Sequence, residues 1–165
     1  MNQAMPSPKT SEWYHAVADE LLAYAISITR DEDLARDLVQ DVLLKLQGGT
    51  TLPDEHDAAK RYVFRMLRNQ NLDNLRKRKV RSEYLAEAER SSYEQHNVTP
   101  NPEDQLAVRD AFDKLGADHR EVLFLVDIMG FKYAEAAETM DVPVGTVMSR
   151  ISRARDEMVR LLRPD

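Results

Sequence analysis

The sequence has no cysteine, a single tryptophan and only five glycines. Without cysteine there is no disulfide framework, no thiolate metal site and no thiol nucleophile, which fits a reducing compartment. The four histidines, His15, His56, His96 and His119, stand far apart and lack the spacing that holds a metal on one helix face. The run Asp54, Glu55, His56, Asp57 reads as a solvated acidic loop rather than a metal site. No glycine-rich phosphate cradle is present. Apolar runs are short, and none approaches the ~20 residues that span a bilayer. The first twenty residues are polar from the start and lack the apolar segment of a signal peptide. These absences predict a cytoplasmic protein that is not an enzyme, with no metal, no cofactor, no small-molecule substrate and no membrane insertion.

What is present is charge, and it is segregated. The formal net charge is -6, which by itself argues against nucleic acid. Yet from Lys60 to Arg81 nine cations face one acid, Asp73, whereas from Asp31 to Asp57 eight acids face two cations. Separate surfaces for separate partners follow from such blocks.

Nearly every periodic stretch is helical. Leu34, Leu38, Val42 and Leu46 recur every four residues, with Ala35, Val39 and Leu43 widening the stripe and Asp33, Asp37, Gln40 and Asp41 opposite. Thr29 to Glu32 has the capping-box pattern, with Asp31 an alternative cap. An earlier helix is expected over about 13–28, and a long one over about 58–78 after the Gly- and Pro-containing loop 47–58. Residues 91–104 are polar, hold two prolines and read as a linker. Beyond them the pattern predicts helices over 103–115, 119–129, 133–140 and 143–162. The expected fold is all-α, two small helical domains (1–90 and 105–165) joined by a flexible linker, with no internal repeat and no convincing strand.

Residues 133–155, "YAEAAETMDVPVGTVMSRISRAR", form a short helix, a tight turn and a longer helix. Ala134, Ala136 and Ala137 allow close helix approach, and Pro143 suits a first helical turn. Val147, Ile151, Ala154 and Met158 form one inward stripe, leaving Met148, Ser149, Ser152, Arg153 and Arg155 outward and Arg150 on a flank. That is the layout of a helix-turn-helix reader, whose short polar and arginine side chains reach base edges and phosphates. The alternative is a solvated face in which the arginines pair with Asp156 and Glu157. In the basic helix, Tyr62, Phe64, Asn69, Gln70, Asn71 and Asn74 stand among cations, a combination suited to stacking on unpaired bases and bonding their edges. The alternative there is that Tyr62 and Phe64 are core.

Taken together, residues 12–161 resemble an extracytoplasmic-function (ECF) sigma factor, group IV of the sigma-70 family. "DLARDLVQDVLLKL" is similar to regions 2.1–2.2, "YVFRMLRNQNLDNLRKRK" to regions 2.3–2.4, and residues 115–155 to region 4. The resemblance implies a sigma region 2 domain that docks on core polymerase and melts the −10 element, and a region 4 domain that reads the −35 element. It places Asp37, Gln40, Asp41 and Leu44 on the β′ clamp helices of RNA polymerase, and region 4 on the β flap. It assigns Tyr62, Arg65, Asn69, Asp73, Arg76, Lys77 and Arg78 to −10 DNA, with Asn69 in a pocket for a flipped base and loop 47–57 setting which base is accepted. It assigns Thr146, Met148, Ser149, Arg150, Ser152, Arg153 and Arg155 to −35 DNA, and it implies an anti-sigma factor as a further partner. Three positions depart from the family pattern. Tyr62 stands where Trp is common, Met148 where Lys or Arg follows "GTV", and Gln47 where an aromatic is frequent. A sigma mimic that titrates an anti-sigma factor would not need the retained arginines, and a stand-alone helix-turn-helix regulator would leave the first domain without a role.

Overall fold

The computed structural model describes residues 9–84 and 103–163. The chain forms two compact units. Among the described residues every regular element is helical. The expected linker, 91–104, lies outside the described residues except for Glu103 and Asp104, which open a helix.

The first unit packs α1 (Ser11–Thr29), α2 (Glu32–Gln47) and α3 (His56–Tyr84) pairwise against one another. Its core is Trp13, Leu21, Tyr24, Leu38, Val42, Val63, Phe64 and Leu67, all fully buried. Tyr24 and Phe64 stack with ring centroids 5.0 Å apart, so α1 meets α3 through aromatic contact as well as area. Thr10 caps α1 by accepting from the Trp13 N–H, and Arg30 ends it in the left-handed region with φ 57°. Of the two candidate caps for α2, Asp31 is the one used. Its carboxylate accepts from the Leu34 N–H at 3.0 Å, while the Thr29 hydroxyl donates back to the Ala25 carbonyl at 2.7 Å. An ionised cap also opposes the positive end of the helix dipole. α3 is longer than its apolar pattern, because Val80 and the cations of its last turns remain helical though exposed.

The second unit packs α4 (Glu103–Lys114), α5 (Ala117–Leu123) and α6 (Tyr133–Met140) around α7 (Val144–Leu162). The expected single helix over 119–129 is divided. α5 passes into a π turn over Phe124–Ile128, closed by the Met129 N–H on the Phe124 carbonyl at 2.9 Å. Gly130, at φ +73°, then reverses the chain in a conformation that a side chain disfavours. α6 ends in a Schellman arrangement. Asp141 is left-handed, its N–H reaches the Glu138 carbonyl, and the Val142 N–H reaches the Ala137 carbonyl at 3.1 Å. Pro143 is the N-cap of α7 and lies just outside the first helical residue, with its carbonyl accepting from Thr146 and Val147. Ala136, Ala137 and Ala154 are buried, and their small side chains let α6 lie close on α7.

Candidate nucleic-acid interface

α7 is sharply two-faced. Val147, Ile151 and Ala154 are buried, and Met158 is half-buried. Met148, Ser149, Ser152 and Arg153 are exposed, and Thr146 is half-buried at the helix start. The inward and outward stripes therefore fall where the spacing predicts. The partners of the flanking arginines do not. Arg155 forms a two-pronged bond to Asp127 on the π turn, at 2.6 and 3.1 Å, and this carboxylate holds its guanidinium protonated more firmly than usual. Arg150 pairs with Asp118 of α5 at 2.9 Å. Glu157, offered as an arginine partner by the sequence, instead accepts from His119 at 2.8 Å. These three links tie both flanks of α7 to the α5 segment. Arg153 makes no ion pair among the described residues and projects from the open face. Nothing acidic lies between 142 and 155, so the first three turns of this face carry only neutral and positive groups; exposed Asp156 follows one turn after Ser152.

In the first unit the exposed face of α3 carries Tyr62, Asn69, Asp73, Arg76, Lys77 and Arg78, with Arg65 half-buried. Phe64 and Tyr62 part company: Phe64 is core, whereas Tyr62 is 42% exposed and its ring is open to stacking. The amides also divide. Asn71 is buried, while Gln70 accepts from the Lys45 ammonium and donates to Asn74 at 3.3 Å. That relay fixes α3 to the end of α2 beside Asn69, which stays exposed. Asp73 pairs with Arg76 at 3.3 Å, an exposed link of little stability value. In the loop between α2 and α3, the almost fully exposed Asp54 pairs with Lys9 at 3.0 Å, and His56, which opens α3, meets Trp13 in a T-shaped contact.

On α2, Asp37, Gln40, Asp41 and Leu44 are all exposed, and their i, i+3, i+4, i+7 spacing gathers them on one face. Leu44, 57% exposed, is an apolar group at the C-terminal end of this acidic and amide face. Among the described residues no group of acids and histidines could hold a metal ion. No helix among them is long and apolar enough to cross a membrane.

Residues 13–81 match the family model for Sigma-70 region 2, and residues 105–158 match that for Sigma-70, region 4. A relative in Rhodopseudomonas palustris, the ECF RNA polymerase sigma factor EcfG, is 36% identical over 160 residues, covering 91% of this chain and 83% of its own. This chain belongs to the ECF sigma-factor family. The Mycobacterium tuberculosis ECF sigma factor SigM is 31% identical over 134 residues, 81% of this chain and 67% of its own. Among solved structures, the sigma factor RpoE of Bartonella quintana, in complex with the anti-sigma factor NepR, superposes with a TM-score of 0.72 at 32% identity. The match covers 92% of this chain and 94% of that one. CnrH, in complex with the cytosolic domain of CnrY, gives 0.53 at 27% identity, over 90% and 82% of the two chains. Each matched region of the sigma factor falls within one of its two units, with α2 and most of α3 in region 2 and α6 and most of α7 in region 4.

Several contributors escaped the sequence reading. Asp118 and Asp127, which fix the α7 flanks, lie far from the arginines in sequence and carry no motif. Lys45, which orients Gln70, looks like an ordinary surface lysine. Val144 drew no attention because its position on α7 matters only once its exposure is known.

Proposed function

We propose that this sigma factor binds core RNA polymerase through α2, reads −35 duplex DNA with α7 and opens the −10 element on α3. The observation that carries this is the division of α7. One face is sealed into the unit, both flanks are held by ion pairs to α5 and the π turn, and the first turns of the remaining face present Val144, Thr146, Met148, Ser149, Ser152 and Arg153. A rigid helix with small polar groups and one arginine outward suits the major groove. Arg150 and Arg155 then act as braces that set the helix's pose, with DNA contact falling to Arg153. On α3, Tyr62 offers a stacking ring, Asn69 an amide for a flipped base, and Lys77 and Arg78 the charge to hold backbone. Extruded bases bound there offset an unpairing cost of a few kcal/mol. The sigma factor supplies no covalent chemistry; it acts on polymerase in the cytoplasm. Its likeness to RpoE, solved with NepR, supports an anti-sigma factor as a further partner.

Run-off transcription with purified core polymerase tests the whole reading. Promoter-specific transcripts are expected only when the chain is added, and their absence with every promoter of a randomised library would refute it. Arg153→Ala is expected to weaken −35 duplex binding by about 1–3 kcal/mol, and an unchanged affinity would remove Arg153 from the reader. Asn69→Ala is expected to leave closed complexes intact while reducing permanganate reactivity of −10 thymines. Full reactivity in the variant would exclude the pocket role.

A further inference from the structure

Met148 is 53% exposed and Val144, one turn earlier, is 42% exposed. They share a stripe of α7 with Ser152, whose side chain is short and exposed. No described element covers this stripe, although the second unit buries Val147 and Ile151 from the same helix. The first two turns of the reader therefore present an apolar surface where an arginine would present a donor fork. In the major groove the only apolar group on any base is the thymine C5-methyl. Methionine is flexible and polarisable, and it adapts well to such a small target. No acid occurs from 142 to 155, and Asp156 comes one turn after Ser152, so the first two turns of the stripe can approach DNA closely; Arg153 projects from the opposite side of the open face, where it can hold phosphate.

We infer that Met148, flanked by Val144, is a specificity-determining residue that selects a thymine methyl in the −35 duplex. This rests on the assignment of α7 as the −35 reader. A guanine-reading fork is absent at this position, so the base preference here is for thymine.

The test uses holoenzyme assembled from core polymerase and the full chain, which first enriches duplexes from a library randomised over the upstream promoter half. Each thymine of the recovered duplex is then replaced in turn by deoxyuridine, which removes only the methyl. At one or two adjacent positions the wild-type holoenzyme is expected to bind the deoxyuridine duplex about fourfold more weakly. Met148→Ala should bind both duplexes equally, Met148→Leu should retain the difference, and Met148→Arg should shift the enriched base toward guanine. Equal wild-type affinity for all deoxyuridine duplexes, or a methyl effect that persists in Met148→Ala, would overturn the inference while leaving α7 as the reader. Weaker polymerase assembly by Met148→Ala without any methyl effect would make the stripe a protein contact and likewise overturn it. Failure to enrich any duplex sequence would overturn the reader assignment itself, and the inference with it.

Discussion

Leu44→Asp is expected to weaken capture by core RNA polymerase by about thirtyfold or more while lowering the thermal midpoint of the sigma factor only slightly. Leu44 lies one turn after Asp41 and two turns after Asp37, exposed among acidic and amide groups. An exposed apolar residue beside polar groups is the arrangement of an interface anchor, where truncation costs about 2 kcal/mol or more. Because the side chain is mostly in water, its burial contributes little to the fold, and a carboxylate in the last turn of α2 opposes the helix dipole by only about 0.3–1 kcal/mol. Binding and stability are thereby separable. Asp41→Lys, on the same face, is expected to act mainly on association and its salt dependence. Pull-down with core polymerase, beside a thermal melt of each variant, checks both effects. Wild-type capture by Leu44→Asp would remove α2 from the docking surface, and a large fall in the melting point would show that Leu44 belongs to the core.

Phe64→Ala is expected to cost about 3–5 kcal/mol of first-unit stability. Phe64 is fully buried in the unit whose core also holds Leu21, Leu38 and Leu67, and its ring stacks on Tyr24 with centroids 5.0 Å apart. Small units bury a limited share of their surface, and total stability for a domain is only about 5–15 kcal/mol. A loss of this size removes most of what holds α1, α2 and α3 together. The single tryptophan, Trp13, is buried in the same unit, so its fluorescence reports this unit alone. Urea titration should show the tryptophan transition shifted to much lower denaturant, with the helical signal of the second unit persisting beyond it. A tryptophan transition at the wild-type midpoint would show that the Tyr24–Phe64 contact is dispensable.

Tyr62 and Phe64 mark one limit of sequence reading. Two residues apart on a helix, they point to nearly opposite sides, so they cannot share one surface. Composition and spacing leave open which ring is core, since both sides of α3 carry apolar residues. Only the packing of α1 on α3 decides it, by placing Tyr24 over Phe64 and leaving Tyr62 outward.

The α7 arginines mark another. Spacing along one helix suffices to sort Arg153 outward and Arg150 to a flank, because helical geometry is local, whereas Arg155, read as outward, is held on the other flank by Asp127. Their partners are set by which other helices lie alongside, and Asp118 and Asp127 reach them only through tertiary packing. The π turn that positions Asp127 has no sequence signature of its own. It follows directly on α5 and is closed by the wider i to i+5 backbone bond from Met129 to Phe124.

By itself, then, the sequence determined the all-α class, the core stripes of α2 and α7, the charge-separated surfaces and the family resemblance. Those follow from periodicity and residue order, which act over a few turns of one helix. Tertiary structure alone decided which aromatic is buried, which arginines pair with carboxylates of the α5 segment, how Gln70 is held beside Asn69, and that Met148 and Val144 form an uncovered stripe. Each of those depends on distances between helices remote in sequence, and burial is a property of the packed unit rather than of any segment within it.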